Sequence, residues 1–500
     1  MHIAMVSSEA VPYAKTGGLA DVCGALPVQF ARSGHRCTLY LPAYRSLLEQ
    51  HGGRLVDTGR QVTVSMLGWE SKVSILSLPT GVDGYEVRLI HHPESFDRPE
   101  LYGDRWGSYG DNCERFCLFG RAVLEAMVAE FGSVDLVHCH DWQAGLIPAW
   151  LATGAYRYPS LRTAASVTTI HNLAYQGRFP KSLYGFTGLG EERFNLHELE
   201  FFGDFSLLKG GIVYADAITT VSPTYAKEIQ TAEHGCGLEG VLQSRQHLLH
   251  GIVNGVDLAI WNPATDPHLA RRYSVDDFHA GKGENKRALQ ERMGLPVRPE
   301  VPLVGIVSRL AEQKGWDILL PVLGDWLSRT DVQWVIVGTG EARYHEALEQ
   351  LSRSHPQKLG LRLGHDESLS HWVEAGCDLF LMPSRYEPCG LNQLYSQLYG
   401  AVPVVHATGG LVDTVVPYVP HDATQSRATG FHFHPYSSGP LHQALDLAIT
   451  ILTQDRGRWD QLVINGMKQD FSWAASAAGY LHLFSEVVAR KQSGAEAWLG

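Results

Sequence analysis

The sequence lacks the surplus of basic residues that a general nucleic-acid binder needs. It has 41 lysines and arginines against 53 aspartates and glutamates, a formal net charge of −12 over 500 residues. Nonspecific binding to nucleic acid or to an anionic membrane requires positive charge on the protein. We therefore expect neither as a partner, while a local basic pocket for a phosphate is compatible with this charge.

Long apolar runs are also missing. No stretch of about 18 apolar residues occurs, so the sequence predicts no transmembrane helix. Residues 1–6 read as a strand that leads into a loop, without the charged and apolar regions of a signal peptide. On these grounds we expect a cytoplasmic protein.

Cysteines are few, and their spacing indicates neither a disulfide framework nor a metal site. The eight are scattered along the chain, which favours reduced thiols. The run His138-Cys139-His140-Asp141 contains metal-ligand residue types. Because neighbours on a strand point to opposite faces, one ion would not reach all of them, and the sequence predicts no metal.

Alternating strands and helices dominate what is present. A chain of this length exceeds one ordinary core, and two strand–helix series are visible, beginning at Ile3 and at Val301. The strands are short, rich in Val, Ile and Thr, and followed by polar residues. This pattern is typical of parallel sheets that bind ligands at the carboxyl ends of their strands. Residues 62–90 read instead as a β-rich insertion.

The predicted fold class is therefore α/β, with two doubly wound domains. The first covers residues 1–254 and the second covers residues 255–473, with the turn signal Asn254-Gly255 at the boundary. A last helix, over residues 474–495, is expected to pack back on the first domain.

The stretch from Ser384 to Leu391, with the sequence SRYEPCGL, links a buried strand to a helix in the second domain. It places Glu387 and a glycine where a strand ends and a helix begins, the usual position of a ligand in such sheets. The free N–H groups there suit an anion, and the carboxylate could accept hydrogen bonds from hydroxyls. The alternative is that Glu387 only caps the helix.

Two cations and two glycine turns follow neighbouring strands of the same domain. Arg309 ends one strand and Lys314 starts the next helix, an arrangement that suits a diphosphate. Glycine turns at 338–340 and 408–410 would bring backbone N–H groups to the same edge. The alternative interpretation is a pair of surface cations and ordinary connections.

The first domain offers a glycine-bearing loop, residues 15–19, with the sequence KTGGL. Lys15 adds a positive charge, and the glycines allow close approach of the backbone to a ligand. The loop is neither a Walker A motif nor a full dinucleotide fingerprint, and a tight turn is the alternative. His171, Asp21 and Asp141 also lie at turns, where structural or capping roles stay open.

Taken together, these motifs resemble the bacterial glycogen synthases, close to the starch synthases, from Met1 to about Leu483. The residues that carry the resemblance are 15–22 (KTGGLADV), 140–142 (HDW), 169–177 (TIHNLAYQG), 221–225 (VSPTY), 254–257 (NGVD), 308–310 (SRL), 313–315 (QKG), 384–391 and 408–411 (TGGL).

This resemblance implies a GT-B fold, in which two Rossmann-like domains face each other across a deep cleft. It implies transfer of glucose from ADP-glucose to the non-reducing end of an α-1,4-glucan, with retention of configuration. The implied partners are thus ADP-glucose and the glucan. Neither a cofactor nor a metal is implied.

The resemblance also implies roles for individual residues. Arg309 and Lys314 would bind the diphosphate, and Lys15 and Gly18 would approach it from the other domain. Glu387 would hold the glucosyl hydroxyls. The remaining donor-side residues are Asp21, Asn254, His171, the backbone of Cys389, Gly390 and Leu391, and the turn at Thr408 and Gly409. Asp141 would lie on the acceptor side, and the implied catalytic set is Lys15, His171, Arg309, Lys314 and Glu387.

Two positions depart from the family pattern. His365 stands where the family usually has an aromatic residue that stacks on the nucleobase. Asn392 stands where many bacterial members have a threonine that meets the phosphate. Both bear on the choice between ADP and UDP, and neither bears on the reaction class.

No carboxylate pair of the kind used by retaining hydrolases is evident. We therefore favour front-face displacement, with the backbone carbonyl near His171 stabilising the developing sugar cation. One alternative is a GT-B transferase that uses UDP-glucose, such as a sucrose synthase-like or trehalose-forming enzyme. Another is a non-catalytic glucan-binding homologue, but such a protein would be expected to have lost the charged residues Lys15, Arg309, Lys314 and Glu387.

Overall fold

The computed structural model describes residues 1–154, 157–420, 422 and 426–496. The chain divides into two units. Unit 1 comprises residues 1–252 with the chain from residue 473 onward, and unit 2 comprises residues 253–472. Among the described residues, no helix is long and apolar enough to cross a membrane.

Unit 1 is built on a nine-stranded sheet with two small sheets beside it. In chain order its strands are β1 His2–Val6, β2 Arg36–Pro42, β3 Val56–Met66, β4 Trp69–Leu78, β5 Tyr85–His91, β6 Gly103–Asp104, β7 Gly107–Ser108, β8 Leu136–His140, β9 Ala165–Ile170, β10 Arg178–Pro180, β11 Glu200–Phe201, β12 Asp204–Ser206, β13 Ala217–Thr220 and β14 Leu249–Gly251. The order in the large sheet is β14-β13-β9-β8-β1-β2-β5-β4-β3. The seven strands from β14 to β5 pair in parallel, and β4 and β3 extend the sheet in antiparallel fashion.

Helices cover this sheet, so its parallel strands are buried on both faces, as such strands require. The helices are α1 Gly18–Arg32, α2 Arg45–His51, α3 Pro93–Phe96, α4 Asn112–Phe131, α5 Ile147–Thr153, α6 Leu207–Tyr214, α7 Pro223–Glu228 and α8 Glu239–Ser244.

The segment predicted as a β-rich insertion belongs to the large sheet. Its β content is confirmed, but the idea of an insertion is wrong, because β5 pairs in parallel with β2. Polar residues alternate with apolar ones along β5, so the sequence did not indicate a position within the parallel sheet. Arg88 lies inside the unit and donates to Glu130 of α4 at 2.9 Å, so the strand alternates in sequence although little of it meets water.

Unit 2 is built on a six-stranded parallel sheet. Its strands are β15 Leu303–Val307, β16 Gln333–Gly338, β17 Leu359–Leu363, β18 Leu379–Met382, β19 Val402–His406 and β20 Phe431–Phe433. Its helices are α9 Phe278–Arg292, α10 Trp316–Arg329, α11 Ala342–Ser354, α12 Glu367–Gly376, α13 Asn392–Leu398, α14 Gly409–Thr414, α15 Ser438–Gln454 and α16 Arg456–Met467. The strand order is β17-β16-β15-β18-β19-β20.

The strand order of each sheet reverses at one point, where ligands bind in doubly wound folds. In unit 2 the reversal lies between β15 and β18, so the loops that carry Arg309 and Glu387 leave adjacent strands. In unit 1 it lies between β1 and β8, which lead to the loops that carry Lys15 and Asp141. The topology thus groups most of the predicted site residues at the carboxyl ends of the strands in the two sheets.

The last helix, α17, covers Trp473–Glu496 and packs on unit 1. Tyr480 and Phe484 are fully buried. The Phe484 ring lies 5.6 Å from the Phe30 ring of α1 and 5.1 Å from the His138 ring of β8, measured between centroids. The helix therefore completes the core of unit 1, although almost the whole of unit 2 separates it from the rest of that unit in sequence.

We expect Phe484→Ala to lower the free energy of unfolding by about 3–5 kcal/mol, because the substitution leaves a cavity between α1, α17 and the sheet. The control is His482→Ala in the same helix, where the side chain is 79 % exposed. This substitution should change the free energy of unfolding by less than about 0.5 kcal/mol. Denaturant unfolding followed by tryptophan fluorescence measures both. Equal effects of the two substitutions would contradict the packing role of α17.

Candidate active site

An ion pair lies at the reversal point of the unit 2 sheet. Lys314 Nζ is 2.6 Å from Glu387 Oε2, and Ser384 Oγ donates to the same oxygen at 3.0 Å. The glutamate side chain is 8 % exposed and the lysine side chain 18 %. Helix α13 starts at Asn392 without a side-chain cap, so the capping interpretation of Glu387 is wrong.

The turn that carries Lys314 is tied to the Glu387 loop by close backbone contacts. Lys314 ends a short 3₁₀ turn, Glu312–Lys314, and so lies before α10 rather than within it. Gly315 has φ +83°, and a Cβ atom there would stand 1.9 Å from the carbonyl oxygen of Pro383. Only glycine allows this approach. The amide of Arg385 also donates to the carbonyl of Gln313 at 2.8 Å.

Arg309 lies beside this pair with its guanidinium exposed. Its Nη2 donates to Gln313 Oε1 at 3.0 Å, and its carbonyl accepts from Trp316 Nε1 at 3.1 Å. These contacts hold the backbone and orient the side chain while the guanidinium stays open to solvent. A second cation is therefore presented on the turn that carries Lys314.

The turn at residues 408–410 packs directly on the Glu387 loop. A Cβ atom on Gly409 would lie 2.0 Å from the carbonyl oxygen of Glu387, and one on Gly410 would lie 2.2 Å from that of Cys389. The Gly410 amide donates to the Glu387 carbonyl at 3.1 Å. Thr408 is buried at the N-cap of α14. The glycines are thus needed for contact between two loops, in addition to any contact with a ligand.

Cys389 and Asn254 form a buried contact in unit 2. Burial raises the pKa of the Cys389 thiol to about 12, and the Asn254 backbone N–H points at the sulfur. The thiol is therefore protonated at neutral pH and is a poor nucleophile. Among the described residues, the buried Oδ1 of Asn254 has no hydrogen-bond donor. A buried acceptor without a donor indicates a place for a ligand or for water.

The other donor-side positions of unit 2 lie along the same edge. Gly390 adopts φ +72°, and Leu391 is the N-cap of α13. Asn392 Nδ2 donates to the Val307 carbonyl at 2.6 Å, which uses one of its two amide hydrogens. His365 is exposed in the turn after β17. His365 therefore lies at the carboxyl end of β17, and among the described residues no hydrogen bond or ring contact fixes its ring.

In unit 1, the loop at residues 15–18 is exposed, and it donates hydrogen bonds to the buried Glu9. This carboxylate is 3 % exposed and accepts from the Thr16 amide, from Thr16 Oγ1 at 2.6 Å and from the Gly17 amide at 3.2 Å. Tyr102 OH donates to it at 2.6 Å. Sequence reasoning missed Glu9, although its position just after β1 was the available signal.

Lys15 and Asp21 contact each other across this loop. Lys15 Nζ donates to Asp21 Oδ1 at 2.8 Å. Asp21 lies in the first turn of α1, whose N-cap Gly17 makes no side-chain cap. A Cβ atom on Gly18 would meet nothing within 4 Å, so the space in front of the helix N-terminus is open. The Lys15 side chain is 54 % exposed and the Asp21 side chain 25 %, so the pair contributes little to stability.

Asp141 and His171 come together at the carboxyl ends of β8 and β9. Asp141 is buried with φ +53°, and its Oδ1 accepts from the His171 amide at 2.7 Å. Burial raises the pKa of Asp141 to about 7, although the His171 amide works against this rise. The aspartate thus fixes the loop that carries His171.

The His171 ring continues a row of histidines. His140 Nδ1 and His171 Nε2 are 2.9 Å apart, and His138 Nε2 contacts Thr169 Oγ1 at 2.6 Å. Burial lowers the pKa of His138 and of His171 to about 3, so both rings are neutral at physiological pH. Within the described residues, no group of three or more His, Cys, Asp or Glu has an arrangement suited to a metal ion.

Comparisons with known proteins show the family of the chain. Residues 2–244 match the family described as starch synthase catalytic domain, and residues 290–461 match the family described as glycosyl transferases group 1. The chain is 43 % identical to a glycogen synthase of Rhodopirellula baltica, covering 99 % of this chain and 100 % of the relative. It is 45 % identical to one of Anaeromyxobacter dehalogenans, covering 97 % and 98 %.

Solved structures extend the likeness to the fold. The catalytic domain of starch synthase IV from Arabidopsis thaliana, bound to ADP and acarbose, superposes with a TM-score of 0.85 at 34 % identity, covering 98 % of this chain and 99 % of that one. Sucrose-phosphate synthase from Thermosynechococcus elongatus shares the fold at a TM-score of 0.59 and 18 % identity, covering 98 % and 99 %.

Two Rossmann-like units with these loops at their sheet edges define a glycosyltransferase with the GT-B fold. The relatives narrow this class. The chain belongs to the glycogen synthase family, which includes the starch synthases, and it is an enzyme of glucosyl transfer to glycogen-type glucans.

We expect Glu9→Gln to reduce kcat/KM for the nucleotide sugar by roughly tenfold, which corresponds to about 1.4 kcal/mol. Glutamine keeps only one acceptor oxygen, so it cannot accept both from the Thr16 and Gly17 N–H groups on one side and from the Thr16 and Tyr102 hydroxyls on the other. The loop therefore loses part of its fixed position. Steady-state kinetics and ADP binding by calorimetry measure the effect, with the exposed Glu49→Gln as control. A loss of stability with unchanged kcat/KM would show that Glu9 supports only the fold.

The pKa of Asp141 predicts a pH-dependent stability. Its folded pKa of about 7 exceeds the ordinary value of 3.8, so the folded state binds more protons than the unfolded state between these values. The contribution of Asp141 to the free energy of unfolding should fall by about 1.4 kcal/mol per pH unit as pH rises through this window.

Asp141→Asn keeps an acceptor for the His171 amide and removes the titration. Denaturant unfolding at pH 5, 6, 7 and 8 should show a flatter pH dependence for this variant than for the parent. Parallel curves would contradict the raised pKa.

Proposed function

We propose that the protein transfers glucose from ADP-glucose to the non-reducing end of an α-1,4-glucan, with retention of configuration. The observation that carries this proposal is the Lys314–Glu387 pair beside the exposed Arg309, at the reversal point of the unit 2 sheet. It is supported by the related starch synthase IV, which was solved bound to ADP and acarbose.

The cations are assigned to the diphosphate of the donor. Departure of ADP builds negative charge on the phosphate oxygens, and fixed positive charge near that position lowers the barrier. Arg309 can bind two oxygens at once, while Lys314 adds a compact charge. Lys15 and Gly18 are assigned to the same diphosphate, together with the turn at Thr408 and Gly409. Asn392 and His365 are assigned to the phosphate and the base.

The glucosyl group is assigned to the polar atoms around Glu387. Its carboxylate lies beside the Lys314 ammonium and can accept from sugar hydroxyls. The buried Oδ1 of Asn254 can accept a further hydroxyl, and Asp21 completes this set. The backbone from Cys389 to Leu391 lines the pocket. The buried Cys389 thiol takes no covalent part, because it stays protonated.

Retention is assigned to front-face displacement. Glu387 is held by Lys314 and Ser384, which makes it a poor nucleophile toward the anomeric carbon. His171 is neutral, so its loop can offer a hydrogen-bonding ring and a backbone carbonyl without placing a positive charge beside the sugar cation. Asp141, on the acceptor side, fixes this loop.

We propose that the reaction needs neither cofactor nor metal, because Arg309 and Lys314 supply the positive charge that a divalent ion would otherwise provide. We also propose a cytoplasmic protein. The eight cysteines are free thiols, seven of them buried, as expected in a reducing compartment. The partners are the nucleotide sugar and the glucan.

The test is a parallel assay of ADP-glucose and UDP-glucose with glycogen as acceptor, with and without EDTA. We expect kcat/KM to be at least about tenfold higher with ADP-glucose, and insensitive to EDTA. The new linkages should be α by proton NMR. A preference for UDP-glucose would support the alternative donor, and β linkages or a covalent glucosyl-enzyme in the mass spectrum would contradict front-face retention.

A further inference from the structure

Unit 2 contains a cavity of about 310 Å³ at the amino ends of its strands, whereas the candidate active site lies at their carboxyl ends. Its lining includes Pro302 and Asp378, which precede β15 and β18 at their amino ends. Arg309 and the Glu387 loop follow the carboxyl ends of these strands. A strand of five residues is about 17 Å long, so the cavity is separate from the candidate donor site at the carboxyl ends of the strands.

Two lysines of α9 form the inner wall of this cavity. Lys286 is 7 % exposed, and its Nζ donates to Asp378 Oδ2 at 2.7 Å and to the Pro299 carbonyl at 3.0 Å. Lys282 stands one turn earlier, on the same face of the helix. Its Nζ donates to the carbonyls of Ala375 and Tyr399 at 3.0 and 3.1 Å. An ammonium has three hydrogens, so each lysine has one left beyond these described contacts.

Negative charge near the lysines is sparse. Asp378 also accepts from the Leu303 amide, so one carboxylate serves a backbone N–H and a buried ammonium. Burial raises the pKa of Glu374, the other carboxyl group near Lys282, and so disfavours its charged form. Glu300 lies at the rim, 67 % exposed and paired with Arg298. Among the described residues of the inner wall, two lysines thus face one carboxylate, Asp378. Burial also lowers the pKa of Lys282, and a bound anion would oppose this shift.

The rim adds a third cation. Arg456, in the first turn of α16, is 57 % exposed; its Nε is 3.1 Å from Asp460, and its Nη2 is 3.3 Å from His279 Nδ1. It can pivot towards the cavity without breaking a core contact. Apolar side chains, including Phe278 and Trp459, form the remaining wall. A buried cation pair below a movable arginine, in a small enclosed space, is suited to a compact anion with two charges.

We propose that this cavity is an anion site that binds inorganic phosphate or the phosphate group of a small ester. Lys282 and Lys286 each donate their third hydrogen to phosphate oxygens, and Arg456 closes over them. The bound anion offsets the excess positive charge of the inner wall. It also acts on α13, because Lys282 holds the Tyr399 carbonyl at the end of that helix, whose other end carries Asn392.

The test is titration of the full-length protein with inorganic phosphate and, in a parallel arm, glycerol phosphate, each at constant ionic strength. Each titration is run once without ADP and once with saturating ADP, which occupies the candidate donor site at the carboxyl ends of the strands. Calorimetry should give one site per chain, and Tm should rise by about 2–5 °C at ten times Kd. Tighter binding of the ester than of inorganic phosphate would identify an ester as the preferred ligand.

Three variants separate this site from a general salt effect. Arg456→Gln should weaken binding about three- to tenfold. Thr453→Glu, which places a carboxylate at the rim, should weaken it by at least roughly tenfold. Arg329→Gln is the matched control, since this exposed arginine of α10 also pairs with an aspartate one helical turn away and lies outside the cavity lining.

The two outcomes are distinct. Binding that persists with ADP, weakens in both rim variants and is unchanged in Arg329→Gln supports the site. Binding that disappears when ADP is present, or that all three variants retain equally, overturns it, because the anion would then occupy the candidate donor site or act as bulk salt. Both rim positions are exposed, so the variants should keep the Tm of the parent in the absence of phosphate.

Discussion

The ion pair between Lys314 and Glu387 is the contact on which the unit 2 site depends. Both side chains are largely removed from water, and either charge alone at such a place would be costly. As a pair the two charges offset each other, and both side chains can contact a polar ligand. Two glycines allow the close backbone packing around this contact. Gly315 lets the turn that carries Lys314 pack against the Pro383 carbonyl, and Gly409 lets a third loop pack against the Glu387 carbonyl.

Unit 1 also contains a buried carboxylate that binds a neighbouring loop. There too a carboxylate just past a strand, Glu9, receives hydrogen bonds from a neighbouring loop, here the glycine-bearing loop that starts a helix. In both units the loops leave strands at the point where the sheet order reverses. In both units a buried carboxylate thus holds a neighbouring loop that carries a lysine. This arrangement gives order to segments that must otherwise stay accessible to substrate.

Much of the fold follows from local pattern. The strand and helix around Glu387 were predictable because an apolar run, a turn and a helical period follow one another, and Gly400 with φ +69° ends the helix as expected. The place of β5 in the sheet was not predictable, because Arg88 finds its partner on α4, far away in sequence.

The residue types of the site were predictable from their positions at strand ends, but their contacts were not. The sequence shows Glu387 and Lys314 seventy-three positions apart, and nothing local indicates that they pair. Asp141 reads as a turn residue, yet it is buried and accepts from His171. Glu9 was missed because its partners, Thr16 and Tyr102, lie in loops whose approach depends on the whole sheet.

The central claim is that Lys314 and Glu387 act as one unit in binding and transfer. A double-mutant cycle with Lys314→Met, Glu387→Gln and both together, measured as kcat/KM for ADP-glucose, tests it most directly. We predict a coupling energy of about 1–3 kcal/mol, because removing one partner leaves the other charge without its counterion. Additivity within about 0.5 kcal/mol would contradict the claim and assign the two residues independent roles.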